Sequence, residues 1–199
     1  MEHSQATTRL RAHLLDDAAY AAERKQRRLD IIALKEHRRI PVGPHAVFHF
    51  ENFATMLYQV QEMLWIEKGG EEQLEDELRA YAPLIPDGKE LVATMMLEID
   101  SKPHREKLLP QLGNIDTHVA FEIAGETSAA RPEQEVERTT EEGRASSVHF
   151  LHFPLSAAQC QALRNGDEAS IAITHPNYNH RAFLSAAQKR SLAADLEQP

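Results

Sequence analysis

One cysteine in 199 residues, Cys160, excludes an internal disulfide and a cysteine-built zinc or iron–sulfur site. Such sparing use of cysteine fits a reducing compartment. No apolar run approaches the ~18 residues of a membrane span. The opening MEHSQATTRLRAH lacks the apolar centre of a signal peptide. The expectation is a cytoplasmic protein with no membrane partner. The common catalytic signatures are missing too: no GxGxxG, P-loop, HExxH or GxSxG. Without an ExxH pair, the carboxylate-bridged di-iron site of ferritin-like bundles has no motif to build on. A net charge of −9 argues against nucleic acid as a partner.

What remains is the composition of an ordinary globular domain, 42% hydrophobic and 27% charged. The charge is uneven. Residues 21–39 hold seven Lys/Arg against three Asp/Glu, a net of +4, which leaves −13 for the rest. A solvated basic helix face explains this; docking of an anionic partner is the alternative.

Residues 1–13 are polar and read as a flexible or weakly helical extension, with one domain over 14–197. Asp16 or Asp17 caps a long helix running to about Arg39, with an apolar stripe of Ala18, Ala22, Leu29, Ile32 and Ala33. Pro41, Gly43 and Pro44 form a corner. Strands are expected at Ala46–Glu51, Leu91–Ile99, His118–Ala124, Val148–Phe153 and Ala169–Thr174, with an edge strand near Arg181–Leu184. Helices fill 53–67, 71–82 and 104–112. Two capping boxes, Ser156 with Gln159 and Ser185 with Gln188, open the last two helices. Residues 126–146 are acidic and rich in Ser, Thr and Glu, and read as a mobile loop. The order gives an α+β fold: a mixed, mainly antiparallel sheet of about five strands, packed by the long N-terminal helix and several shorter ones.

Chemistry concentrates in RRIPVGPHAVFHFENFATMLYQVQEMLWIE, residues 38–67. Glu51 ends a strand just before a helix N-terminus, which favours an anion. It reads either as the ion-pair partner of Arg38 or Arg39 or as a ligand-binding carboxylate. Glu62 lies on a half-apolar helix face near Tyr58 and Gln59. It reads either as an acid/base group with a raised pKa or as a buried hydrogen-bond partner of those two residues. Among eleven histidines, His49, His149 and His175 are the metal candidates, although a metal needs three ligands from different elements to converge. His149 shares a strand face with Leu151 and Phe153 and reads as a satisfied core residue. His175 stands at a strand end, where sites are often built. Cys160 reads as packing rather than a nucleophile.

With RRIPVGPHAVFHFENFATMLYQVQEMLWIE, YAPLIPDGKELVATMMLEID, SSVHFLHFPL and ITHPNY, the chain resembles a bacterial family known as domain of unknown function 3501. The likeness spans about residues 14–197. It departs from the family's pattern at Trp65, where a basic residue is expected, and at His152, where arginine is usual. The family's recurrent polar positions match Arg39, Glu51, Asn52, Gln59, Gln61, Glu62, Glu67, His175 and Tyr178. The resemblance implies no established activity and no known cofactor. Its members' company with rubrerythrin-like and iron–sulfur proteins implies an accessory role in redox or peroxide stress. The expectation is therefore a non-catalytic accessory or interaction protein, with a homo-oligomer compatible. The alternative is a small metal-binding protein or enzyme whose site gathers Glu51, Glu62, a histidine and an arginine.

Overall fold

The structure, a computed structural model, describes residues 2–133, 139 and 143–196. The fold is α+β, and every strand pairing among the described residues is antiparallel. The strands form two sheets, where the sequence suggests one of about five strands. The first runs β1 (Arg39–Val42), β2 (Ala46–Glu51), β3 (Glu90–Leu97), β7 (Val148–Pro154), β6 (Arg131–Pro132). The second runs β5 (Glu126–Ala129), β4 (Val119–Ile123), β8 (Ala169–His175), β9 (Tyr178–Phe183).

The two sheets share one core. Period-2 alternation sends Phe48 and Phe50 of β2, Leu91, Ala93 and Met95 of β3, and Leu151 and Phe153 of β7 into it. Phe121, Ile171 and Ile173 enter from the second sheet. At its centre Phe121 meets Phe50 and Phe153 edge-on, with centroids 5.7 and 5.8 Å apart. α6 (Ala157–Asn165) and α7 (Ala186–Ala193), each opened by the expected capping box, add Cys160, Leu163 and Leu192.

The opposite face of the first sheet is covered by helices. Val92 and Phe150 meet a second cluster formed by Leu10 of α1 (Glu2–His13), Met56 and Val60 of α3 (Phe53–Glu67), and Leu78 of α4 (Gly70–Tyr81). The extension over 1–13, read as flexible or weakly helical, takes the helical form over residues 2–13. It is helix α1, with Leu10 fully buried, Arg9 over the Phe53 ring and Arg11 paired with Glu71 and Glu75. Ala6 and Leu14 pack beside Leu10 and help to seat this otherwise polar helix. The expected mobile loop at 126–146 is in part β-structure. Ala124 and Gly125, both at positive φ, make the tight turn joining β4 to β5, which an Ala-Gly pair does not advertise as Asn-Gly would. Residues 134–138 and 140–142 of that stretch lie outside the described residues.

β1 occupies the proposed corner. Pro41 sits on this edge strand, where a missing N–H is tolerated. The β1–β2 turn is held from the other sheet. The Tyr178 hydroxyl donates to Val42 O and accepts from the His45 and Ala46 amides, each at 2.8 Å. Gly43 is required there, because φ is +70° and an added Cβ would fall 2.8 Å from that hydroxyl. Tyr178→Phe strands three backbone groups, and is expected to cost about 1–3 kcal/mol. Urea unfolding measures this, and hydrogen exchange should show the Ala46 amide speeding up. An unchanged midpoint would contradict the staple.

Candidate functional site

α2 (Asp17–Glu36) is capped by Asp16, whose carboxylate accepts from the Ala19 amide. Just beyond its end, Arg38 is 1% exposed and, together with Asp116, the most enclosed charged residue among those described. It lies opposite Phe50, whose amide donates to Arg38 O. From there its guanidinium donates to Phe50 O at 2.8 Å, Glu51 O at 3.0 Å and Ser191 O at 3.1 Å. It closes on the Asp195 carboxylate at 2.5 Å. Burial raises the Asp195 pKa, and Arg38 opposes that rise. Asn52, the N-cap of α3, donates to the same carboxylate at 3.3 Å.

The proposed pairing of Glu51 with Arg38 or Arg39 is therefore corrected. Arg38 takes the backbone oxygen of Glu51, while the Glu51 side chain turns to the helix-covered face of the sheet. There, 6% exposed, its carboxylate accepts from Thr55 Oγ1 at 2.7 Å and Thr94 Oγ1 at 2.9 Å. Arg39 leaves on the exposed side of β1 and pairs with Glu98 at 2.9 Å.

Glu62 is hydrogen-bonded, but by α2 rather than by Gln59 or Tyr58. It accepts from Tyr20 Oη at 2.5 Å and from Arg24 Nε and Nη2 at 2.8 and 2.9 Å. The Arg24 hydrogen bonds hold its pKa below the ordinary carboxylate range, against burial. That direction is opposite to the one an acid/base role would use. Burial and Glu62 together push the Tyr20 phenol upward. Gln59 lies beside Tyr81 of α4. Gln61 clamps both backbone groups of Leu15. Glu51 and Glu62 do not converge: eleven residues, roughly 16 Å of helix, separate them.

The histidines are also dispersed. His49 faces the helices, 3.7 Å from Glu98, and burial lowers its pKa. His149 points into the sandwich, its Nε2 on Ser146 O at 2.9 Å. His175, in the other sheet, donates from Nε2 to Gly113 O at 3.3 Å and accepts from the Asn177 amide at Nδ1. Burial lowers its pKa as well. Among the described residues no group of three or more His, Cys, Asp or Glu is arranged to hold a metal ion.

A cavity that the sequence reading misses lies beneath α1. It encloses about 480 Å³ and is lined by Arg9, Ile85, Pro86, Glu90, Glu133 and His152, among others. His152 faces Glu90 Oε2 from Nδ1 at 3.1 Å and Glu133 Oε2 from Nε2 at 3.4 Å. Burial pulls its pKa down, but the two carboxylates outweigh burial and the net direction is up. Two carboxylates flanking β7 call for a cation, and a protonated imidazole supplies one. A neighbouring cavity of about 260 Å³ shares Arg9 and reaches Asn52 and Asp195.

The clamp has a pH signature. A folded pKa above the unfolded ~6.5 adds stability that is complete below pH ~6.5 and is lost as pH rises through the folded value. The urea midpoint of wild type relative to His152→Gln is expected to fall across that window, and His152→Arg to abolish the slope. The histidines with lowered pKa slope the other way, so the difference between variants is the observable. Parallel pH profiles for wild type and His152→Gln would refute the clamp.

No curated protein matches the chain. A solved structure, described as a crystal structure of a novel protein of unknown function from Burkholderia pseudomallei K96243, is similar over 94% of this chain and 97% of its own. Its TM-score is 0.86 and its identity 36%. The profile of the family described as "Protein of unknown function (DUF3501)" matches residues 10–196, so the chain belongs to that family.

Proposed function

We propose that this chain is a non-catalytic interaction protein that docks another polypeptide on the outer face of α2. The observation that carries the reading is the position of the apolar stripe. Ala18, Ala22, Leu29, Ile32 and Ala33, the stripe legible in the sequence, all face solvent, with Leu29 53% and Ile32 57% exposed. The inward face is instead Tyr20, Arg24, Arg27, Ile31 and Leu34, set against α3. The candidate polar groups support the same reading. Arg38, Glu51, Glu62, His175 and Tyr178 each spend their hydrogen bonds inside the chain, as structural groups do. Service to a rubrerythrin-like or iron–sulfur redox partner is the finer part of the proposal. It rests on the family's company alone and has no residue assigned to it.

The cavity beneath α1 favours a second reading, small-ligand binding around Glu90, Glu133 and His152. Among the described residues no three His, Cys, Asp or Glu side chains are arranged to hold a metal ion there. Affinity capture from source-cell extract, with wild type and a Leu29→Asp/Ile32→Glu variant as baits, tests the first reading. Wild type should retain a protein that the variant loses. Identical capture by both would overturn it.

A further inference from the structure

Taking the docking reading of α2 as its premise, we infer that the occupant of this face is a second copy of the same chain, laid antiparallel. The exposed positions Ala18, Ala22, Lys25, Leu29, Ile32 and Glu36 are spaced 4, 3, 4, 3 and 4 residues apart. That is the 3.5-residue repeat of a helix–helix seam. It is a second seam, because the inner positions 20, 24, 27, 31 and 34 repeat with the same period on the opposite side. α2 therefore has one face built for α3 and one built for a helix that the chain itself does not supply.

Charge selects the partner and its direction. The outer seam holds two charged residues, Lys25 and Glu36, and neither has an ion-pair partner among the described residues. A parallel, in-register pair would stack Lys25 on Lys25 and Glu36 on Glu36. An antiparallel pair with its twofold axis between Asp30 and Ile31 sets Lys25 against Glu36 of the second copy, and Leu29 against Ile32 of the second copy. The same pairings recur on the other side of the axis, because an isologous interface repeats each contact. The result is two apolar layers closed at each end by an ion pair, over roughly 16 Å of helix. A polar residue in a seam fixes register and orientation in this way.

Sedimentation velocity of the purified full chain over a concentration series tests the inference. Wild type should show a monomer–dimer equilibrium. Ile32→Glu, a substitution at an exposed position by a good helix former, should weaken it by about tenfold or more, since it brings a carboxylate into an apolar layer. Lys25→Glu should also weaken it, by placing like charges face to face. The double swap Lys25→Glu/Glu36→Lys should restore it to within about threefold of wild type. Circular dichroism should show all variants folded, since none of these side chains is buried. A wild type that stays monomeric throughout, a dimer indifferent to Ile32→Glu, or a swap that fails to restore association would each overturn the inference. A monomer that still retains a different protein through Leu29 and Ile32 would sink self-association while leaving the docking reading intact.

Discussion

Arg38→Ala is expected to cost roughly 3–5 kcal/mol of folding stability, the range for removing one member of a buried ion pair. The loss is not that of one salt bridge. The guanidinium satisfies the carbonyls of Phe50, Glu51 and Ser191 as well as the Asp195 carboxylate, and is itself 1% exposed. Deleting it leaves Asp195 buried with Asn52 as its remaining hydrogen-bond donor. Asp195→Asn should cost less, about 1.5–3 kcal/mol, the scale of one charge-assisted bond, because the backbone carbonyls still cradle the cation. Equilibrium urea unfolding of the two variants measures the asymmetry. Equal and small losses would mean that the network is open to solvent.

Phe121→Ala is the other large effect expected, at roughly 3–5 kcal/mol. Phe121 is fully buried and touches Phe50 and Phe153 across the space between the sheets. No single neighbour can move in to fill the void, since those two rings belong to strands fixed in register by β3. Phe183, 62% exposed on β9, is the control: Phe183→Ala should fall within about 0.5 kcal/mol of wild type. Because one cluster spans both sheets, Phe121→Ala should shift a single unfolding transition. Separate melting of the two sheets would show that they do not share a core.

The strands were legible wherever period 2 was strong. β2, β3, β4, β7 and β8 fall within a residue or two of the runs that alternate, and His149 occupies the core face that its neighbours Leu151 and Phe153 indicate. β1 was hidden by Pro41, which reads as a corner unless the strand is known to lie on an edge. The division into two sheets is a matter of long-range pairing, invisible to local pattern. In α2 the sequence showed an apolar stripe but not the side to which it turns. The face that packs on α3 is the one carrying Tyr20 and Arg24, whose polar ends find Glu62. Hydrophobicity alone does not choose between two faces when the polar one has partners waiting. The site residues followed the same logic. Residue type marked Arg38, Glu51 and Glu62 as enclosed polar groups, but their partners, Asp195, Thr94 and Arg24, come from distant elements that spacing does not reveal.

Arg38 and Asp195 stand 157 residues apart in the chain. During synthesis, the segment forming β1, β2 and β3 leaves the ribosome long before the carboxylate that neutralises Arg38 has been made. Closing so long a loop comes late and carries its full entropic cost. The nascent β1–β2 hairpin therefore waits with an unmatched cation at its edge and its phenylalanine face uncovered, the kind of intermediate that chaperones hold. α7 and the residues just after it act as a latch, closing over Arg38 only after β7, β8 and β9 have also been made.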